Sequence, residues 1–402
     1  MGDEYSFLQE KIKDEAGSPQ RFKKKVIRMI ILGLIFGIIA CFTFFASKPW
    51  IEELLGQDKE EITIPEDEEI PEDDVQNEEI DETAQAEAEE KQQIKYLKSL
   101  QNTAKKVMPT IVTVSGKKTL GEEDSFLTAG VIIADNGAEL LVLSQTLSED
   151  KLKNINITFA DEKQYSAVEK KKDQNTGIMI CAVSKEQFDK NAWKQPENVI
   201  LGNSLRVKAG DPVILIGKTK QAETVISYGF VASNEEKTRI SDGTISLLRA
   251  DVAGAEFESG MIFNQEGDMI GLINETIDDS KMLITAYSIS DIKNEIEHLS
   301  NEKSVPYIGI CGVDLPEELK EEGLESGIWV EEIDTDSPVM KAGIQRGDVI
   351  TQMADTTIYN MKDYRNVLLK QQVKKEIVLK GFRKGADDQY VEMEFRVIVG
   401  QK

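Results

Sequence analysis

Ser259, followed by Gly260 in the segment Glu256–Gly271, is a candidate nucleophile. A serine attacks a carbonyl only when a neighbouring group takes its proton, and histidine is the usual base. The chain of 402 residues holds one histidine, His298. It lies near the end of Asp291–Leu299, an expected helix, where a partly exposed histidine is favoured by the negative end of the helix dipole. A serine–lysine pair would need a desolvated lysine, and no local pattern singles one out.

The net charge of −25 and pI of about 4.6 argue against nucleic-acid binding, which needs a clustered basic face. Cys41, Cys181 and Cys311 are too few and too scattered for a disulfide framework. No CxxC or Cys/His cluster points to zinc, so the cysteines are expected reduced and buried, with no metal and no cofactor.

The length allows two or three domains. Residues 1–25 form a polar tail ending in Arg21, Lys23, Lys24 and Lys25, expected to be cytoplasmic. Residues 26–46 carry an uncharged apolar run from Met29 to Ala46, long enough with Val26 and Ile27 to cross a bilayer of roughly 30 Å. A cleaved signal peptide would have a shorter apolar core and a better site than Ala46-Ser47. The basic cluster sets the N-terminus inside and the remainder outside. Residues 47–92 are expected to be a disordered acidic linker; nineteen Asp and Glu fall between 51 and 90. A spacer is the plain reading, and weak cation binding the alternative. Residues 84–107 look helical and lead into the first globular domain.

From Met108 the pattern changes to short Val/Ile/Thr-rich runs separated by turn residues. Strands are expected at 110–115, 129–134, 139–144, 155–159, 178–183, 212–217, 224–232, 245–250, 269–273 and 283–289, which implies a β-barrel or sandwich.

Several of these runs carry a family likeness. Thr128-Ala-Gly-Val-Ile-Ile133, Leu201-Gly-Asn-Ser204 with Gly210-Asp-Pro-Val-Ile-Leu-Ile-Gly217, Thr224–Ser233, Leu248–Ala253 and Asn264–Gly271 occur in one order and spacing. Together they resemble the trypsin-like proteases of the HtrA (DegP/DegS) family. The resemblance implies a mainly β fold, a trypsin-like double β-barrel over residues 93–300. In that family the nucleophile, base and orienting carboxylate are Ser, His and Asp. Matching Leu143–Leu147 to the family's Thr-Asn-Asn-His-Val puts Thr146 at the histidine position. Matching Thr176–Ile180 to Thr-Asp-Leu-Ala-Val puts Gly177 at the aspartate position. Counting back from Asn264 without a gap puts Glu258 at the serine position, beside Ser259. Thr146 is no base near neutral pH, Gly177 has no side chain, and a carboxylate at 258 opposes an oxyanion. The resemblance thus implies a protease homologue without its triad, the alternative being an active serine endopeptidase with an unusual constellation.

Residues 301–402 resemble the α+β PDZ domain that follows such proteases. Tyr307-Ile-Gly-Ile310 is similar to the carboxylate-binding loop, and Ser337-Pro-Val-Met-Lys-Ala-Gly-Ile-Gln-Arg-Gly-Asp-Val-Ile350 to the family's Ser-Pro-Ala…Gly-Asp-Val-Ile string. A PDZ groove takes a peptide as an added strand and captures its terminal carboxylate on backbone amides. By the resemblance, Ile308, Gly309 and Ile310 supply amides and Tyr307 shapes the loop. Val367 and Leu368, in the helical stretch 360–371, line the side-chain pocket or pack in the core. Tail, single anchor, acidic stalk, barrel and PDZ resemble HtrA proteins of Gram-positive bacteria. That implies an outward-facing cell-membrane protein that binds C-terminal or extended peptide segments of envelope proteins, has a scaffold or regulatory role in protein quality control, and assembles as a homotrimer.

Overall fold

The computed structural model describes residues 60–67, 86–117, 125–146, 152–189, 197–219, 221–252, 257–274 and 283–402. The expected tail and membrane-spanning segment lie outside them, as does most of the acidic linker. Among the described residues no helix is long and apolar enough to cross a membrane.

Helix α1 (Ala86–Val107) leads into the first barrel. Its strands are β1 (Ile111–Lys117), β2 (Ser125–Asp135), β3 (Glu139–Gln145), β4 (Lys153–Thr158), β5 (Gln164–Lys172) and β6 (Ile178–Ser184). They close in the order β1-β2-β3-β6-β5-β4. The second barrel uses β7 (Pro212–Thr219), β8 (Thr224–Ser233), β9 (Lys237–Ile240), β10 (Gly243–Val252), β11 (Phe257–Phe263), β12 (Met269–Ile273) and β13 (Ile284–Ser288). Here β13-β12-β11-β7-β8-β10 form a ring closed by the β10–β13 pairing, with β9 hanging outside it on β10.

The strand β3 shows why its sequence is a continuous apolar run rather than an alternating one. Leu140 and Val142 fill the first barrel, while Leu141 and Leu143 face a second core between the barrels, shared with Ile214, Ile216, Met261 and Phe263. Both faces are buried, so both carry apolar side chains.

Helix α2 (Ile289–Ser300) closes this inter-barrel core with Ile289, Ile292, Ile296 and Leu299, a spacing that keeps one helical face apolar. Residues 60–67, within the stretch expected to be linker, run extended along α2. The Ile62 amide donates to Asn301 Oδ1 (2.8 Å) and the Ile64 amide to Glu297 Oε2 (2.7 Å). Asp67 receives the buried Lys293 ammonium at 3.0 Å and the Ser290 hydroxyl at 2.6 Å. Two isoleucines packed on the core and an ion pair thus fix a segment whose acidic composition alone reads as solvated.

The C-terminal domain comprises β14 (Pro306–Tyr307), β15 (Ile310–Asp314), α3 (Glu317–Glu321), β16 (Ile328–Ile333), α4 (Pro338–Ala342), β17 (Val349–Met353), β18 (Thr356–Thr357), α5 (Met361–Leu369), β19 (Glu376–Lys384), β20 (Tyr390–Ile398) and β21 (Gly400–Gln401). Its sheet runs β15-β16-β17-β19-β20, so β15 is an edge strand. Helix α4 starts on Ser337, whose hydroxyl accepts the Met340 amide, and ends on Gly343 at φ 84°. A separate core of Ile308, Ile310, Ile328, Val330, Tyr364, Leu368 and Leu379 holds it together. Leu369 of α5 leaves that core and joins the inter-barrel one, tying this domain to the barrels.

Candidate functional site

The residues at the expected triad positions sit at the ends of β3, β6 and β11. Thr146 and Gly177 are joined directly, the Thr146 amide donating to the Gly177 carbonyl at 2.8 Å. Gly177 has φ 72°, and a Cβ built there would lie 2.7 Å from the Thr146 carbonyl oxygen. A side chain at position 177 would meet both a strained backbone and a collision.

Glu258 is exposed on a bulge of β11: Phe257 pairs with Thr219 and Ser259 with Lys218, leaving Glu258 without an opposite number. The segment that carries the expected serine position is therefore strand through Ser259. Ser259 is buried, and its Oγ accepts the Ala129 amide at 2.8 Å. The Ala129 carbonyl in turn receives the Ser144 hydroxyl at 2.8 Å. Lys218, opposite Ser259, is a desolvated lysine that the sequence did not reveal; burial lowers its ammonium from the ordinary range. Its Nζ donates to the Ala222 carbonyl at 3.2 Å. His298 is half-buried, and burial together with nearby Lys303 pushes its imidazole down, against the upward pull expected from the helix end.

Behind Gly177 lies a buried polar cluster. Thr176 donates its amide (3.3 Å) and hydroxyl (3.0 Å) to Asp173 Oδ2, and its hydroxyl also contacts Glu295 Oε1 of α2. Arg365 of α5 donates to Glu295 Oε2 at 2.7 Å. Burial, then the neighbouring Asp173 charge, push the Glu295 carboxyl up to about 8, while Arg365 pulls the other way. A carboxyl raised in the folded state stabilises fully below its ordinary value of 4.5, and that contribution is lost as pH rises through about 8. Glu295→Gln keeps the shape and cannot ionise. Its urea-unfolding free energy should gain on that of the wild type by more than about 2 kcal/mol between pH 5 and pH 9. Parallel curves would show that Glu295 does not titrate in this window.

The second candidate site is the loop Tyr307–Ile310. Gly309 has φ 94°, and this turns three successive amides toward one point. They converge on the carboxylate of Asp242, from the β9–β10 hairpin of the second barrel. Asp242 Oδ2 accepts from Ile308 N (2.7 Å) and Gly309 N (2.8 Å), and Oδ1 accepts from Ile310 N (2.9 Å). The Tyr364 hydroxyl adds a fourth bond, 2.6 Å to Oδ1. The Asp242 amide also donates to the Ile310 carbonyl at 2.7 Å, along the free edge of β15. Burial raises the Asp242 carboxyl, and the Tyr364 hydroxyl and three amides offset part of that. Tyr307 donates to Asp334 Oδ2 at 2.7 Å and lies under the Lys402 ammonium.

The four loop residues expected to form one site are thus brought together. Leu368 is buried in the domain core, and Val367 packs partly buried against it. The α5 side chain that reaches the loop is Tyr364, one turn earlier. Asp242, Tyr364, Arg365 and Glu295 were not singled out from the sequence. Asp242 sits in Ser-Asp-Gly, which reads as an ordinary hairpin turn, and its partners lie 66 to 122 residues away.

Comparison with known proteins agrees with this architecture. The PDZ domain family matches residues 306–392. Serine protease Do-like HtrA of Bacillus subtilis (strain 168) is 23% identical over 263 residues, covering 60% of this chain and 57% of that protein. A probable periplasmic serine endoprotease, DegP-like, of Rickettsia prowazekii (strain Madrid E) is 26% identical over 283 residues, covering 67% and 53%. The chain spans 53 to 66% of the length of the first of these curated relatives. Among solved structures, the HtrA-type protease AlgW with tripeptide aligns at TM-score 0.54 and 18% identity, over 75% of this chain and 97% of that one. The serine endoprotease from Yersinia pestis aligns at TM-score 0.51 and 17% identity, over 75% and 98%. Two six-stranded barrels, a PDZ domain after them, and relatives of one kind on both counts make this chain similar to HtrA-type serine proteases in sequence and fold, with a C-terminal PDZ domain.

Proposed function

We propose that the chain is a membrane-anchored HtrA-like pseudoprotease whose working site is the PDZ carboxylate loop. The observation that carries this reading is the convergence of the Ile308, Gly309 and Ile310 amides on a single carboxylate. Such a loop, beside a free strand edge, suits the C-terminal end of an extended peptide. The barrels serve as a scaffold, with protein quality control at the outer face of the cell membrane as the setting.

Loss of catalysis is supported by the backbone at Gly177, which has no room for an orienting carboxylate, and by the outward exposure of Glu258. A homotrimer, the assembly the resemblance implies, would have an exposed apolar stripe available on β8: Ile226, Tyr228 and Phe230, alternate residues on one face.

The test is a titration of the full-length protein with a fluorescent peptide ending in an apolar residue. Binding at micromolar concentration that is lost when the peptide is C-terminally amidated is the expected result. Equal binding of both forms refutes carboxylate capture. The alternative, serine hydrolysis, rests on the pairing of Ser259 with desolvated Lys218. Labelling by a fluorophosphonate that Ser259→Ala abolishes would establish it and end the pseudoprotease reading.

A further inference from the structure

We infer that Asp242 is a built-in competitor for the PDZ groove, a side-chain carboxylate that occupies the loop and must leave before a peptide end can enter. The inference rests on reading that loop as a peptide-carboxylate site.

Asp242 copies both halves of peptide capture. Its carboxylate takes the three loop amides, and its own backbone amide donates to the Ile310 carbonyl, the first rung of an added strand. The next residue leaves no slack. A Cβ at Gly243 would lie 2.8 Å from Arg365 Nη1 and 2.9 Å from its Cδ, so the turn is seated directly against α5. A peptide carboxylate and the Asp242 carboxylate cannot share the same amides.

The hairpin is held from the PDZ side at two further points. Ser241 donates to Asp334 at 2.5 Å, and Arg239 pairs with Glu331. Asp242 itself sits at the tip, with φ 62°, in the two-residue connection between Ile240 and Gly243. Strand β9 pairs with β10 alone and lies outside the closed ring of the second barrel. The tip can therefore withdraw without opening the barrel. A groove that is free only a fraction of the time binds its ligand more weakly by that fraction.

The experiment measures affinity of the full-length protein for the apolar-ended peptide, free and amidated, in wild type, Asp242→Asn and Arg239→Glu. Hydrogen exchange of the Ile308–Ile310 amides is followed in parallel. Asp242→Asn should bind the free-carboxylate peptide at least about tenfold more tightly, and its loop amides should exchange faster without ligand. Arg239→Glu sets like charges between hairpin and Glu331 without touching the groove. It should tighten binding at least about threefold, and it keeps the question open to test if Asp242→Asn does not fold. Equal affinity for the free-carboxylate peptide in all three folded proteins would overturn the inference while leaving the carboxylate site standing. Failure of every form to bind the free-carboxylate peptide, or equal binding of its amidated twin, would remove the underlying reading and this inference with it.

Discussion

Replacing Arg365 by leucine is expected to destabilise the folded protein by about 3–5 kcal/mol, the range for breaking a buried charged group on one side only. Arg365 is one of the few basic residues buried here, and its partner Glu295 is 0% exposed. Leucine keeps apolar bulk against α2 but leaves Glu295 without its counter-charge. Glu295, no longer pulled down by the guanidinium, will hold its proton more firmly. The loss should therefore be smaller at pH 6 than at pH 9, where keeping or losing that proton are both unfavourable. Urea unfolding at the two pH values, with unchanged m, reads both effects. A loss below about 1 kcal/mol at pH 9 would mean that the guanidinium is not what neutralises the cluster.

Gly309→Val is expected to lower the melting free energy by about 2–4 kcal/mol and to abolish peptide binding. The backbone there has φ 94°, and a Cβ would stand 2.4 Å from Ser337 Cβ and 2.8 Å from the Tyr307 hydroxyl. Relief requires moving α4 or the loop, and either turns the amides away from their common point. Gly343→Ala is the matched comparison. It too has positive φ (84°) but meets nothing within 4 Å, so it should lose about 1 kcal/mol and leave binding intact. Equal losses in the two variants would show that backbone strain, and not the collision, governs position 309.

Local signals were enough to locate most strands, because runs such as Glu139–Gln145 and Ile178–Ser184 are apolar on both faces and bounded by turns. Strand β5 was missed because Gln164–Lys172 ends in Glu-Lys-Lys-Lys and leaves Val168 exposed; its pairing with β4 and β6, not its own composition, makes it a strand. Strand β11 is absent from the strands expected on composition, because Glu256–Gly260 has no apolar run; its pairing with β7 makes it a strand and fixes the bulge at Glu258. The carboxylate loop was legible, since Tyr-Ile-Gly-Ile followed by Ser-Pro and Gly-Asp-Val-Ile is a local string. Its occupant was not. Nothing near Asp242 in sequence distinguishes a turn aspartate in solvent from one that enters a groove 66 residues away. The same holds for Glu295 and Arg365, which sit beside other charged residues in their own helices and become buried only when α2 and α5 meet.

The two-residue turn that carries Asp242 has a consequence for what the groove can notice. A carboxylate attached to the same chain and aimed at the loop acts like a solute at millimolar concentration or above. Acetate, free amino acids and other small acids present one carboxylate and nothing more, so at lower concentration they are outcompeted by the tethered one. A chain end that also pairs with β15 and seats a side chain beside α5 brings contacts that Asp242 cannot match. The tether therefore acts as a filter by size. It makes the loop blind to isolated acid groups and leaves it responsive to polypeptide ends.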